Sequence, residues 1–163
     1  MLIPVLLLLV LVALAANYAY VLVGRRSRAR VSLRGVVPLV RQRHALLEKL
    51  ASGEGVPPGG SALHADLLQA SDACREAVRV QPDESLVEAD NAFTVQAEAL
   101  FRTAGDLPSS WVTRWESLRH DFDVEAEQYN RLVRRYNDSL GRFPGNWVGR
   151  ALRLRLLPAM RRG

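Results

Sequence analysis

His120, Asp123 and Glu127 stand at i, i+3 and i+7, on a single face of any helix that contains them. An imidazole and two carboxylates are ligands for a divalent cation, so this trio could support metal-assisted chemistry. A site would need further ligands from another element, and a solvated acidic face explains the same spacing without a metal. His44 and Glu48, four apart, read as an exposed ion pair, whereas His64 and Asp66, two apart, do not face each other on a helix. Cys74 is the single cysteine, which excludes an internal disulfide and a multi-cysteine zinc site, and it reads as a small apolar core residue. The sequence carries no Gly-rich phosphate loop, paired-cysteine motif or nucleophile elbow. Asn137-Asp138-Ser139 fits the glycosylation acceptor pattern but falls in mid-helix. No catalytic, cofactor-binding or metal-ligating set is assigned, and a binding role is expected. A helical metal enzyme built on His120 is the alternative.

A second set of residues repeats. Tyr129-Asn130, Tyr136-Asn137 and Phe143-Pro144 recur every seven residues and are followed by Gly145-Asn146. That spacing puts the aromatic rings on one helical face and the asparagines on its flank. The tyrosines read as core residues whose hydroxyls reach the edge for a partner. Asn130 and Asn137 read as interhelical or backbone-capping hydrogen bonders, or as the lining of a groove for a partner helix.

The elements that would position these residues are marked by charge and hydropathy. Of 163 residues, 22 are basic, all but Lys49 arginine, and 17 are acidic, giving a net charge of +5. The basic excess is confined to two blocks. Gly24 to Arg43 holds Arg25, Arg26, Arg28, Arg30, Arg34, Arg41 and Arg43 with no acid, and Arg142 to Gly163 holds six more arginines with none. The stretch between is net acidic, which argues against a nucleic-acid binder in spite of the overall charge.

Leu2 to Val23 departs from Leu, Val, Ile and Ala only at Pro4, Asn17, Tyr18 and Tyr20. As a helix it reaches ~33 Å, enough for a bilayer core of about 30 Å. Pro4 costs no helical hydrogen bond in the first turn, and Tyr18 and Tyr20 suit a headgroup boundary. The rival is a signal peptide cleaved after Ala13-Leu14-Ala15. Against it stand the length of the run, the lack of a basic residue before it, and Arg25, Arg26, Arg28 and Arg30 immediately after it. Arginine is retained on the cytoplasmic side, so the expected orientation is N-terminus outside and the rest inside.

The remainder reads as all-α, with an antiparallel four-helix bundle of long helices expected. A first helix over about 26–51 has Leu33, Val36, Val37, Val40, Leu47 and Leu50 at helical spacing, with a kink expected at Pro38. A loop over 52–61 leads to a second helix with Leu63, Leu67, Ala70, Cys74 and Ala77 on one stripe. Gln81-Pro82-Asp83 breaks the pattern before a third, striped by Leu86, Ala89, Phe93, Ala97, Leu100 and Ala104. The fourth, 109–141, carries Trp111, Trp115, Leu118, Phe122, Ala126, Tyr129, Val133, Tyr136 and Leu140. This is a heptad-like seam with one stutter near Phe122, also compatible with an oligomeric coiled coil.

An up-down path brings the C-terminal segment back to the bilayer. With Trp147, Arg150, Arg153 and Arg155 it reads as a basic amphipathic tail at an anionic membrane surface, beside Arg25, Arg26, Arg28 and Arg30; a frayed tail is the alternative. Three regions follow: an anchor over 1–24, a bundle over 25–142 and a tail over 143–163.

The series Tyr129-Asn130, Tyr136-Asn137, Phe143-Pro144-Gly145-Asn146 resembles the C-terminal signature of the LemA family. Val40-Arg41-Gln42-Arg43-His44-Ala45-Leu46-Leu47 is similar to that family's basic-basic-His stretch, and Leu22-Val23 before Arg25-Arg26 fits its juxtamembrane run. The chain departs from the family in lacking its proline after the His stretch and in having Pro38 within the first helix. The resemblance implies a single-pass bacterial inner-membrane protein with an antiparallel helical bundle and no established catalytic activity. The expected partners are the membrane and a protein, another copy included, with neither nucleic acid nor a small-molecule substrate.

Overall fold

A computed structural model describes residues 2–51, 84–103 and 107–162, together with residues 69, 72, 75 and 76. Among the described residues the regular structure is entirely helical. The elements are α1 (Leu2–Ala51), α2 (Glu84–Thr103), α3 (Ser109–Gly141) and α4 (Gly145–Ala151). The expected loop over 52–61 and the stripe through Leu63, Leu67, Ala70, Cys74 and Ala77 lie outside the described residues, as do His64 and Asp66. Asp72 and Arg75 are helical, and Arg75 pairs with Asp72 and with Glu48 of α1.

The apolar opening and the first bundle helix are one helix of 50 residues, ~75 Å at the standard rise. Pro38 sits inside it on the exposed side. The carbonyl of Arg34, which loses its helical donor to the proline ring, is on an exposed residue where water can serve it, while Val36, Val37 and Val40 hold the opposite face in the core. The two halves of α1 differ sharply. The large apolar residues from Ile3 to Leu14 are 50–83% exposed, whereas Leu22, Ala29, Leu33, Val36 and Val40 are almost wholly buried. By length and composition this is the one helix among the described residues able to cross a membrane.

Contacts along the buried half of α1 fix the directions of its neighbours. Tyr18 reaches Ser139, Arg25 reaches Arg135 and Ser139, and Arg43 lies over the rings of Phe122 and Trp115, so α3 runs opposite to α1. Arg26 meets Glu84 and Arg43 meets Asp90 and Thr94, so α2 runs with it. The start of α2 and the end of α3 therefore both lie at the end of the packed region from which the uncovered half of α1 projects.

Most of the described stripe residues are core, with Ala89, Trp111 and Leu118 half-buried and Ala104 outside the described residues. Leu86, Phe93, Ala97 and Leu100 of α2 and Trp115, Phe122, Ala126, Tyr129, Val133, Tyr136 and Leu140 of α3 are buried against α1. Fully burying one such large apolar side chain contributes about 1.5–3 kcal/mol. Two charged residues lie among them. Arg43 and Asp90 are essentially inaccessible. The guanidinium donates to Asp90 at 3.4 Å and Thr94 at 2.8 Å, and it faces the ring of Phe122 at 4.0 Å. His44 is likewise buried, stacked on Phe93 with centroids 3.6 Å apart and facing Asp90, where its spacing from Glu48 suggested an exposed side chain.

Candidate functional site

The repeated Tyr-Asn pairs act together on the C-terminal segment. After α4 the chain turns and runs extended, and its backbone lies along α3. The Asn137 amide donates to the Leu157 carbonyl at 2.9 Å and accepts the Leu157 N–H at 3.0 Å. Asn130 repeats the arrangement on Met160, with both bonds at 2.8 Å. The Tyr136 hydroxyl donates to the Arg155 carbonyl and the Tyr129 hydroxyl to that of Pro158, each at 2.9 Å. Asn91 of α2 clasps the far end, donating to the Ala159 carbonyl and accepting the Arg161 N–H. Leu157 and Met160 insert their side chains into the core. This segment is a strap, held by a ladder of side-chain amides and phenols.

Geometry accounts for the seven-residue period. Seven residues of helix rise ~10.5 Å, and three residues of extended chain span ~10 Å. A Tyr-Asn pair every seventh residue of α3 thus meets the strap at every third residue, in opposite directions: Tyr136 with Arg155 and Tyr129 with Pro158, Asn137 with Leu157 and Asn130 with Met160. Phe143, the third aromatic of the series, lies beyond α3; it is 76% exposed and meets the Trp147 ring edge-on at 6.2 Å.

The phenols are suited to donating. Burial, and secondarily the negative charge of Glu84, pushes the Tyr129 hydroxyl well above the usual phenol range. Burial also raises Tyr136, against the opposing pull of Arg26. Both therefore keep the proton they give to the strap carbonyls. Beside them, burial pushes the Glu84 carboxyl up, but the hydrogen bonds and charges of Arg26 and Arg30 outweigh it and hold it below the usual carboxylate value.

The turn into the strap is a Schellman motif. The N–H of Leu154 bonds the Gly149 carbonyl at 2.8 Å and that of Arg153 bonds the Arg150 carbonyl at 3.2 Å. Arg153 takes the left-handed position with φ 52°, where glycine is the usual occupant. Packing of α4 against α1 and α3 is close. A Cβ on Gly145 would lie 1.8 Å from the Ser139 carbonyl oxygen and 3.0 Å from the Tyr18 ring.

Of the eight residues expected at a membrane surface, Arg25, Arg28, Arg30, Trp147, Arg150, Arg153 and Arg155 are exposed. Arg26 is partly buried and bonded to Glu84 at 2.9 Å; Arg30 reaches the same carboxylate at 3.4 Å. The expected amphipathic tail is a single short helix followed by the strap, because Asn130, Asn137 and Asn91 satisfy its backbone in extended form. The frayed alternative is likewise not what the structure has.

His120 is exposed, and Glu127 is engaged by Arg134 at 2.9 Å and by Arg162 of the strap. Among the described residues no group of three or more His, Cys, Asp or Glu side chains is arranged to hold a metal ion. The strap was not read from the sequence. Its available signal was Leu157 and Met160, three apart around Pro158, against Asn130 and Asn137, seven apart. Compared with known proteins, the chain matches no family model, no curated protein and no solved structure.

Proposed function

We propose that the chain is a single-pass membrane protein of LemA type, whose antiparallel four-helix bundle stands on the cytoplasmic face of a bacterial inner membrane. Its role in this reading is binding, not catalysis: the bundle presents its outer surface to a protein partner or to another copy of itself.

The observation that carries the reading is the two-part character of α1. One unbroken helix has a buried half beginning near Leu22 and a leucine-rich half that no other described residue covers. An uncovered apolar rod of this length needs lipid as its solvent. Arg25 and Arg28 just beyond the apolar run favour the cytoplasmic side for the bundle. The exposed Phe143-Trp147 pair, on the segment packed beside Tyr18, suits the headgroup boundary at the same level.

A reporter fused after Gly163 tests sidedness, and alkaline extraction of membranes with mass measurement of the intact chain tests the anchor. The expected result is a full-length, membrane-retained protein whose reporter is active only in the cytoplasm. A soluble mature chain beginning near Ala16 overturns the reading.

A further inference from the structure

We propose that a cleft between α1 and α3 at the foot of the bundle binds the phosphate of one anionic phospholipid headgroup; this rests on the reading of α1 as a membrane span. The cleft has a volume of ~580 Å³ and gathers Arg25 and Arg28 from α1 with Arg135 and Arg142 from the end of α3. Asp138 is the one acid on its wall.

Among the described arginines, Arg26, Arg30, Arg43, Arg75, Arg102, Arg134, Arg161 and Arg162 are each matched to a carboxylate. Arg34, Arg41, Arg114, Arg119, Arg131, Arg150, Arg153 and Arg155 form no ion pair among the described residues and do not line the cleft. Arg25, Arg28, Arg135 and Arg142 form none either, and these four share the one cleft. Arg25 is held in place by neutral acceptors, donating to the Ser139 hydroxyl and, at 3.5 Å, to the Arg135 carbonyl. Ser139 is fixed in turn by its bond to the Arg135 carbonyl at 2.6 Å, and its own carbonyl accepts from Tyr18 at 3.4 Å. A guanidinium positioned without neutralisation, beside three others, is an arrangement that an oxyanion completes. Planar bidentate donors suit phosphate oxygens in particular.

Position selects the source of that phosphate. The cleft extends along α1 from Tyr18 to Arg28, about 15 Å of helix that straddles the end of the apolar run at Val23. That is the level of the headgroup layer when the run fills the hydrocarbon core. A lipid phosphate is concentrated there and free phosphate is not. The site joins two segments more than a hundred residues apart, which distinguishes it from the general attraction of a basic juxtamembrane run for an anionic leaflet.

The test uses the full chain in nanodiscs of phosphatidylcholine, alone or with a minor fraction of phosphatidylglycerol, followed by native mass spectrometry. Wild type is expected to retain one phosphatidylglycerol per chain. The double variant Arg135→Gln/Arg142→Gln, both positions exposed, is expected to hold it about tenfold more weakly, as loss of charge-assisted contacts requires. The charge-matched pair Arg114→Gln/Arg119→Gln, elsewhere on α3, should retain the lipid like wild type. Equal loss in both double variants reduces the effect to net charge and overturns the site. Inorganic phosphate binding to chains in neutral discs as tightly as the lipid overturns the lipid assignment. A chain that enters both discs but retains no phosphatidylglycerol overturns the cleft and leaves the span standing. A chain that enters neither disc overturns the span as well.

Discussion

Replacing Asn130 by alanine removes both hydrogen bonds that fix Met160, each 2.8 Å long and buried. Their net worth is about 1 kcal/mol apiece, and a Met160 N–H and carbonyl left in place without partners would cost about 1–3 kcal/mol each. Lifting the end of the strap into water avoids that second cost but forfeits burial of the Met160 side chain, about 1.5–3 kcal/mol. The lower of the two routes sets the outcome, so the variant should lose about 2–4 kcal/mol. Asn91→Ala, whose two bonds are exposed, should lose under about 1 kcal/mol. Unfolding of the full-length protein in detergent measures both, and hydrogen exchange on the peptide over 153–163 reports the strap directly. Protection of the Met160 amide should fall in Asn130→Ala while the α3 amides change little. A cycle with chains ending at Pro158 isolates the contact: without Ala159 and Met160, the same alanine should cost far less. Equal losses for Asn130→Ala and Asn91→Ala, or an undiminished loss in the shortened chain, would refute the ladder as the source of stability.

Three further outcomes follow from the packing. Asp90→Ala strands the Arg43 guanidinium in the core and should destabilise by about 3–5 kcal/mol, while Arg43→Met/Asp90→Leu together should be near neutral; thermal unfolding separates the two. Arg153→Gly relieves the left-handed residue of the Schellman turn and should stabilise by roughly 1 kcal/mol, read as an upward shift in midpoint; a lower midpoint would mean the side chain is needed there. The Glu84 carboxyl is held below its ordinary value. Its contribution is therefore full above that value and lost as pH falls through the folded one, so Glu84→Gln should flatten the acid limb of a stability profile.

The apolar stripes were legible because burial follows helical periodicity, and the heptad through Trp115, Phe122, Tyr129 and Tyr136 is the seam packed against α1. The continuity of α1 was readable in part: no turn signal separates the apolar run from the first helix, and Pro38 predicts a kink within that helix and not its end. Its place on the exposed face, set by the partners of Val36, Val37 and Val40, lets the helix pass through. His44 was misplaced toward solvent, and burial of Arg43 was not read at all, because their partners Asp90, Thr94 and Phe93 lie about fifty residues away, beyond the reach of local spacing. The Tyr-Asn series announced that something was bound at every seventh residue of α3. That the bound element is the chain's own end depends on a reversal at Arg153, a residue type that does not advertise a left-handed turn.

On the proposed reading of α1 as a membrane span, one helix without a joint makes the packed helices a lever. From Val23 to Ala51 the rod extends about 40 Å beyond the apolar run, so a change in tilt of roughly 10° would swing its tip by about 7 Å. Thinning or thickening of the bilayer, which a transmembrane rod answers by leaning, would therefore be transmitted as sway at the distal end, where whatever docks there would feel it.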